Sequence, residues 1–257
     1  MVRPMRSPIL AALLGSLLTA SCGSVNFSSD EALEPISLQA YAEATAGHTV
    51  VDSGPEYEQV QEVTRRITAV TGEDFPWEAR LLRADDVPNA FCLPNGRIAV
   101  YTGILDVTQN IDGLAAVIGH EVAHATRRHG GVRMTQNLLG EVALTVAGVG
   151  LDLSEMDDDA KAYTMAALGG VAQYGVLLPY SRQHETEADL DGVRFAIRAG
   201  FDPWEAPKLW ERMAQLGDGG PEFLSTHPDP LKRAARLREA IPGILAEERA
   251  RDPSRPE

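Results

Sequence analysis

The sequence predicts an α+β domain that is predominantly helical and carries a small β-sheet. Three observations predict it. Apolar residues recur at helical spacing between residues 55 and 72, 112 and 131, 181 and 200, and 203 and 217. Between Trp77 and Tyr101 the period shortens to that of strands, with Asn95-Gly96 marking a tight turn. The composition is that of one globular unit, with 257 residues, 44% hydrophobic, 23% charged and no low-complexity block. A formal net charge of -14 repels phosphate backbones, so nucleic acid is not an expected partner.

The first 22 residues read as a targeting segment. Arg3 and Arg6 give a positive start, and Ile9 to Leu18 is an apolar run too short to span a bilayer. Thr19-Ala20-Ser21-Cys22 then supplies small residues for cleavage. A cysteine directly after such residues resembles a bacterial lipoprotein lipobox, with Thr19 where Leu or Val is usual. That resemblance implies a signal peptide over 1–21, lipidation of Cys22 and, since Gly23 rather than an aspartate follows, anchoring to the outer membrane facing the periplasm. Cys92 is the one other cysteine, so no structural disulfide is expected. Residues 22–54 are polar and mixed and read as a tether, which leaves 55–257 as the domain.

Within the domain, Pro55 opens a helix with Val60, Val63, Ile67 and Val70 on one stripe and Gly72 at its end. Arg80 to Arg83, Phe91 to Leu93 and Arg97 to Tyr101 read as strands. The edge strand of such a sheet can pair with an extended peptide.

The chemistry sits in Gly119 to His129, GHEVAHATRRH. His120 and His124, at i and i+4, share one helix face, so both rings can reach a single tetrahedral Zn2+ with Glu121 beside its open position. Zinc lowers the pKa of water from about 15.7 towards roughly 7, and a neighbouring glutamate can take the proton and pass it to a leaving amine. This is the minimal residue set of a metallopeptidase holding one zinc per chain. Asp112 reads as the N-cap of this helix, Arg127 and Arg128 suit its negative end, and Gly130-Gly131 reads as its stop.

Leu138 to Leu151 and Ala162 to Leu178 are apolar, but their glycines and alanines and Glu141 favour buried or interfacial helices over membrane spans. Ser181 to Arg194, SRQHETEADLDGVR, follows. Two histidines need a third protein ligand, and Glu185 and Asp189 share a helix face while Glu187 and Asp191 point elsewhere. One carboxylate of the first pair can bind zinc while the other accepts the outer N–H of a ligand histidine. Asp202-Pro203 opens another apolar helix with Trp204, Leu209, Trp210, Met213 and Leu216, which read as core. His48, His129 and His184 read as exposed histidines without a partner at ligand spacing.

H-E-x-x-H at 120–124 followed by S-R-x-x-E-x-x-A-D at 181–189 resembles the zinc metallopeptidases that include the CAAX prenyl endopeptidases and the heat-shock protease HtpX, most of all the periplasmic, lipoprotein-like bacterial members. N-A-F at 89–91, N-G-R-I-A-V-Y-T-G-I-L at 95–105, and Ser225 to Pro228 with Arg233 extend the resemblance over about 55–240. It implies a zincin-like (gluzincin) domain in which His120, His124 and Glu185 bind zinc, Glu121 is the general base, Asp189 orients a ligand and the 89–101 strands line the substrate groove. Pro94-Asn95-Gly96 departs from the glycine pairs common there, which touches the hairpin and not the zinc site. The resemblance also places His227 near the metal, where it can donate to an oxyanion or plug the open position. The expected function is a zinc-dependent endopeptidase of the bacterial cell envelope that removes misfolded or unassembled envelope proteins. The alternative is a chaperone-like assembly factor that binds unfolded outer-membrane proteins with little turnover, which would have no need of Glu121.

Overall fold

The computed structural model describes residues 29–133, 181–216, 227 and 229–253. Cys22, the segment before it and the apolar stretches 138–151 and 162–178 lie outside the described residues. Among the described residues, no helix is long and apolar enough to cross a membrane.

In chain order the elements are α1 (Asp30–Ala46), β1 (Thr49–Val51), α2 (Pro55–Thr68), β2 (Glu78–Arg83), β3 (Ala90–Cys92), β4 (Arg97–Tyr101), α3 (Gly103–Thr108), α4 (Ile111–Thr126), α5 (Arg182–Arg198), α6 (Glu205–Ala214) and α7 (Pro230–Arg251). The expected class holds: mostly helix, with one four-stranded sheet ordered β1-β2-β4-β3. β2 and β4 run parallel, and β1 and β3 pair antiparallel on either side. The hairpin between β3 and β4 closes through Gly96 N–H donating to the Leu93 carbonyl (2.9 Å), with Gly96 at φ +83, as the Asn95-Gly96 pair implied.

The sheet is covered on both faces because its strands alternate. Leu81, Ile98 and Val100 point into the main core with Val60, Val63 and Ile67 of α2 and Leu114, Val117 and Ile118 of α4. Leu82, Ala99 and Tyr101 point the other way, onto Tyr41 of α1. The Tyr41 hydroxyl donates to the Ile98 carbonyl at 3.0 Å, which pins α1 across the sheet. Residues 30–51 are therefore not a tether: they form a helix and an edge strand that pack on the domain. The physical reason is visible in the buried row of α1, Leu33, Ser37, Tyr41 and Thr45. Three of those four carry a hydroxyl, so no apolar stripe announces the helix.

Two helices carry the site. Asn110, not Asp112, caps α4, its Oδ1 accepting from Gly113 N–H at 2.7 Å. The following turns are buried almost all round, from Gly113 to Ala125. Ser181 caps α5, its hydroxyl accepting from His184 N–H. The helices cross where Gly119 meets Gly192: a Cβ on Gly192 would lie 2.9 Å from His120 N, and one on Gly119 would lie 3.0 Å from the Gly192 carbonyl oxygen. Two glycines at the crossing let the backbones approach closely enough for short carboxylates on α5 to reach imidazoles on α4.

Candidate metal centre

The crossing brings His120, His124, Glu185 and His227 together, all buried, with one ligand atom from each lying within 4.8 Å of every other. The Nε2 atoms of His120 and His124 face a common point, 3.0 Å apart. Glu185 reaches the same point from α5, its Oε2 3.5 Å from His120 Nε2 and its Oε1 3.4 Å from His124 Nε2. His227 closes the group, with Nδ1 3.2 Å from His120 Nε2 and 3.1 Å from both Glu185 oxygens. Its Nε2 is 3.4 Å from Glu121 Oε1. All five side chains are 3% exposed or less.

Burial and charge set the protonation of these groups. Burial lifts the Glu121 carboxyl above the ordinary carboxylate value, against the pull of His227 and His120. Burial likewise pushes His124 well below the ordinary histidine value, which keeps it neutral. Burial works against ionised Glu185 too, but His227, His120 and His124 together hold its carboxyl well below the usual range.

Behind His120 stands a second buried group. Asp189 Oδ1 is 3.2 Å from His120 Nδ1, as expected for the carboxylate that orients a ligand. Arg233 of α7 donates to Asp189 through Nε (2.9 Å) and Nη2 (2.5 Å), and its Nη1 lies 2.6 Å from Glu185 Oε2. The guanidinium lies 3.4 Å over the Trp210 ring, and that ring also meets His120 edge-on. Trp210 is core, as its spacing implied, and it also forms a wall of the site. Arg233, only 1% exposed, was legible as part of the family pattern but without a role. The available signal was its place in the buried row Arg233, Leu237, Ile241 of α7: a cation in an apolar stripe needs a buried partner.

Behind His124 the arrangement differs from the expectation. His129 is not exposed but 2% accessible, with Nδ1 3.0 Å from His124 Nδ1 and Nε2 3.2 Å from Glu187 Oε2. His184 stacks on its ring, and His48 lies edge-on to Tyr101. Burial and the neighbouring His184 ring lower His129 to about 4, so it is neutral. Gly130-Gly131 does not stop α4. The chain turns at Arg127 and Arg128, the latter at φ +56, and a new helical turn begins at His129. Asp191 points away from the site and pairs with Arg127.

A divalent cation fits this residue set. Burial and Arg233 oppose a charge on His120, yet Asp189 and Glu185 raise its pKa to about 9, so the buried carboxylates draw positive charge to this point, and a metal ion held by the imidazole nitrogen would take the place of that proton. The donors are two neutral imidazoles and a carboxylate, the mixture that zinc accepts. Glu121 Oε1 is buried and has no hydrogen-bond partner among the described residues, as befits a base left open for a water molecule.

An HExxH helix crossed by a helix that supplies an acidic third partner defines a metal-binding hydrolase centre. Residues 56–241 match Peptidase family M48, and the chain belongs to that family. It is 40% identical over 187 residues to the mitochondrial metalloendopeptidase OMA1 of Schizosaccharomyces pombe, covering 71% of this chain and 52% of that one. Against the protein of the same name in Saccharomyces cerevisiae it is 37% identical, covering 66% and 48%. Against the beta-barrel assembly-enhancing protease of Escherichia coli it is 31% identical over 180 residues, covering 68% and 36%. The chain thus spans about half or less of the length of these relatives.

Proposed function

We propose that the chain is a zinc-dependent endopeptidase. The observation that carries this reading is the convergence of His120, His124 and Glu185 on one point, with Glu121 beside it and its buried Oε1 making no hydrogen bond among the described residues. His120 and His124 would hold zinc through Nε2, and Glu185 through its carboxylate. Held there, zinc would supply Lewis acidity toward water and a peptide carbonyl. Glu121 takes the proton of the attacking water and returns it to the leaving amine, a role suited to a carboxyl whose affinity for protons burial has raised. β3, an edge of the sheet packed beside α4, would align an extended substrate over the centre by strand pairing.

The same reading makes the arrangement of His227 a resting one. Its Nδ1 lies 3.1 to 3.2 Å from Glu185 and His120 and so among the ligand atoms, which favours the plug over the oxyanion donor.

The substrates are unfolded or unassembled proteins of the bacterial envelope, reached from a lipid anchor at Cys22. The lipobox-like residues 19–22 support this location, and so does the likeness to a beta-barrel assembly-enhancing protease. The mitochondrial relatives favour the other compartment. Mass spectrometry of the mature N-terminus separates the two: acylated Cys22 is expected, and an unmodified start at another residue sinks the envelope reading.

The test of the chemistry is Glu121→Gln. It should keep one zinc per chain and lose peptide cleavage by about 10²- to 10⁴-fold. If it cleaves as the parent does, Glu121 is not the base. If it is inactive yet restores function in cells, the chaperone-like role is the correct one.

A further inference from the structure

We propose that His129 is a positioning residue of the metal centre, holding His124 in the tautomer and ring orientation that the metal needs while Glu187 holds His129 in turn. The inference rests on the reading of His124 as a ligand through Nε2. A ring bound there carries its proton on Nδ1, and a buried N–H requires an acceptor. For His120 the acceptor is Asp189. For His124 the atom at the corresponding place is His129 Nδ1, 3.0 Å away.

Each proton in the row then follows from the one before. His129 Nδ1 accepts only if its own proton is on Nε2, and there Glu187 Oε2 stands ready at 3.2 Å. Glu187 Oε1 accepts from Gln183 Nε2 at 2.8 Å, which fixes the carboxylate. His184 stacks on His129 at 4.2 Å and 16°, which fixes the plane of the ring.

The backbone is shaped to make this contact. His129 follows His124 by five residues, and in an unbroken helix it would lie about 140° around the axis, unable to meet the outer edge of the His124 ring. The turn at Arg128 brings it back. Arg128 adopts a left-handed conformation that few non-glycine residues take, and ion pairs to Asp30 and Glu73 hold it there. A carboxylate on each side thus supports the ligand pair: Asp189 directly, Glu187 through an imidazole.

Zinc affinity of the full chain, measured by competition with a chromophoric chelator, tests the proposal, and thermal unfolding in excess EDTA controls for folding. His129→Phe keeps the ring and removes the acceptor, and it should weaken zinc binding by about 10- to 100-fold. His129→Gln can accept from His124 and donate to Glu187, so it should recover most of that loss. Glu187→Ala, at the half-exposed end, should cost about three- to tenfold while leaving the zinc stoichiometry intact. Binding by His129→Phe within about twofold of the parent, or no recovery by Gln, overturns the proposal. Should His129→Phe fail to fold, parent-like affinity of Glu187→Ala overturns it instead. His124→Ala run in parallel separates the two readings. Retained zinc there removes the ligand assignment itself, whereas lost zinc alongside parent-like His129→Phe removes only the role of His129.

Discussion

His120 and His124 sit one turn apart on the same helix and present the same nitrogen to the same point, yet they are supported in opposite ways. Behind His120 stand a dry ion pair, Asp189 with Arg233, and the face of Trp210, none more than 3% exposed. Behind His124 stands a neutral imidazole, and beyond it a carboxylate whose side chain is 31% exposed. The inner side is anchored by a buried ion pair, which resists displacement because a lone buried charge is costly. The outer side relies on hydrogen bonds that reach solvent within two steps. One imidazole is therefore fixed and the other adjustable.

The largest effect is expected on the inner side. Arg233→Ala leaves Asp189 and Glu185 facing each other without their cation, and removing one partner of a buried pair costs about 3 to 5 kcal/mol. Denaturant unfolding should show that loss, and zinc should restore part of it. Arg233→Lys should recover little, since an ammonium cannot bridge both carboxylates and stack on Trp210. A loss below about 1 kcal/mol in the alanine variant would mean that the inner side is no more anchored than the outer one.

Next comes the direct acceptor. Asp189→Ala should weaken zinc binding by about 10- to 100-fold without abolishing it, whereas Glu185→Ala should abolish it. Chelator competition distinguishes the two carboxylates. The helix crossing itself is tested by Gly192→Ala, whose new Cβ would press on His120 N at 2.9 Å. A cost of about 1 to 3 kcal/mol and a parallel fall in zinc affinity are expected, because the neighbour is backbone and cannot swing aside. Parent-like behaviour of that variant would show that the crossing has slack.

How much of this was legible in the sequence depended on whether periodicity alone could carry it. The spacing of His120 and His124, and of Glu185 and Asp189, is a helix property, and the structure places each where that spacing put it. His129 escapes the spacing rule because five residues along a straight helix lead away from His124, and nothing in an arginine announces the left-handed turn at 128. α1 was missed because its buried row mixes hydroxyls with apolar side chains. The Gly119–Gly192 contact pairs residues on two helices far apart in sequence, and no local rule links them.

His227 bears on what the inner and outer sides jointly support. With Nδ1 inside the ligand group, His227→Ala should retain zinc and raise cleavage of a peptide by about tenfold, if the plugged arrangement holds roughly nine-tenths of the molecules. A loss of about 10²- to 10³-fold would instead make it an oxyanion donor.

The smallest effect is expected at Asp191, and it is the sharpest control on the comparison. Asp191 lies two residues beyond Asp189, about 200° around α5, and accepts from Arg127 Nε at 2.6 Å. The Arg127 side chain is 47% exposed and the Asp191 side chain 18%, and an ion pair open to solvent on one side contributes about 1 kcal/mol. Asp191→Ala should therefore shift unfolding by less than about 1 kcal/mol and leave zinc affinity unchanged. It removes one negative charge from the same helix, as Asp189→Ala and Glu187→Ala do, but touches neither histidine. If it weakens zinc as much as they do, the acidic field of α5 and not contact with the imidazoles is what supports the metal. Raising the salt then decides, because at 1 M a field effect that passes through solvent is screened within about 3 Å while a buried hydrogen bond to an imidazole is not.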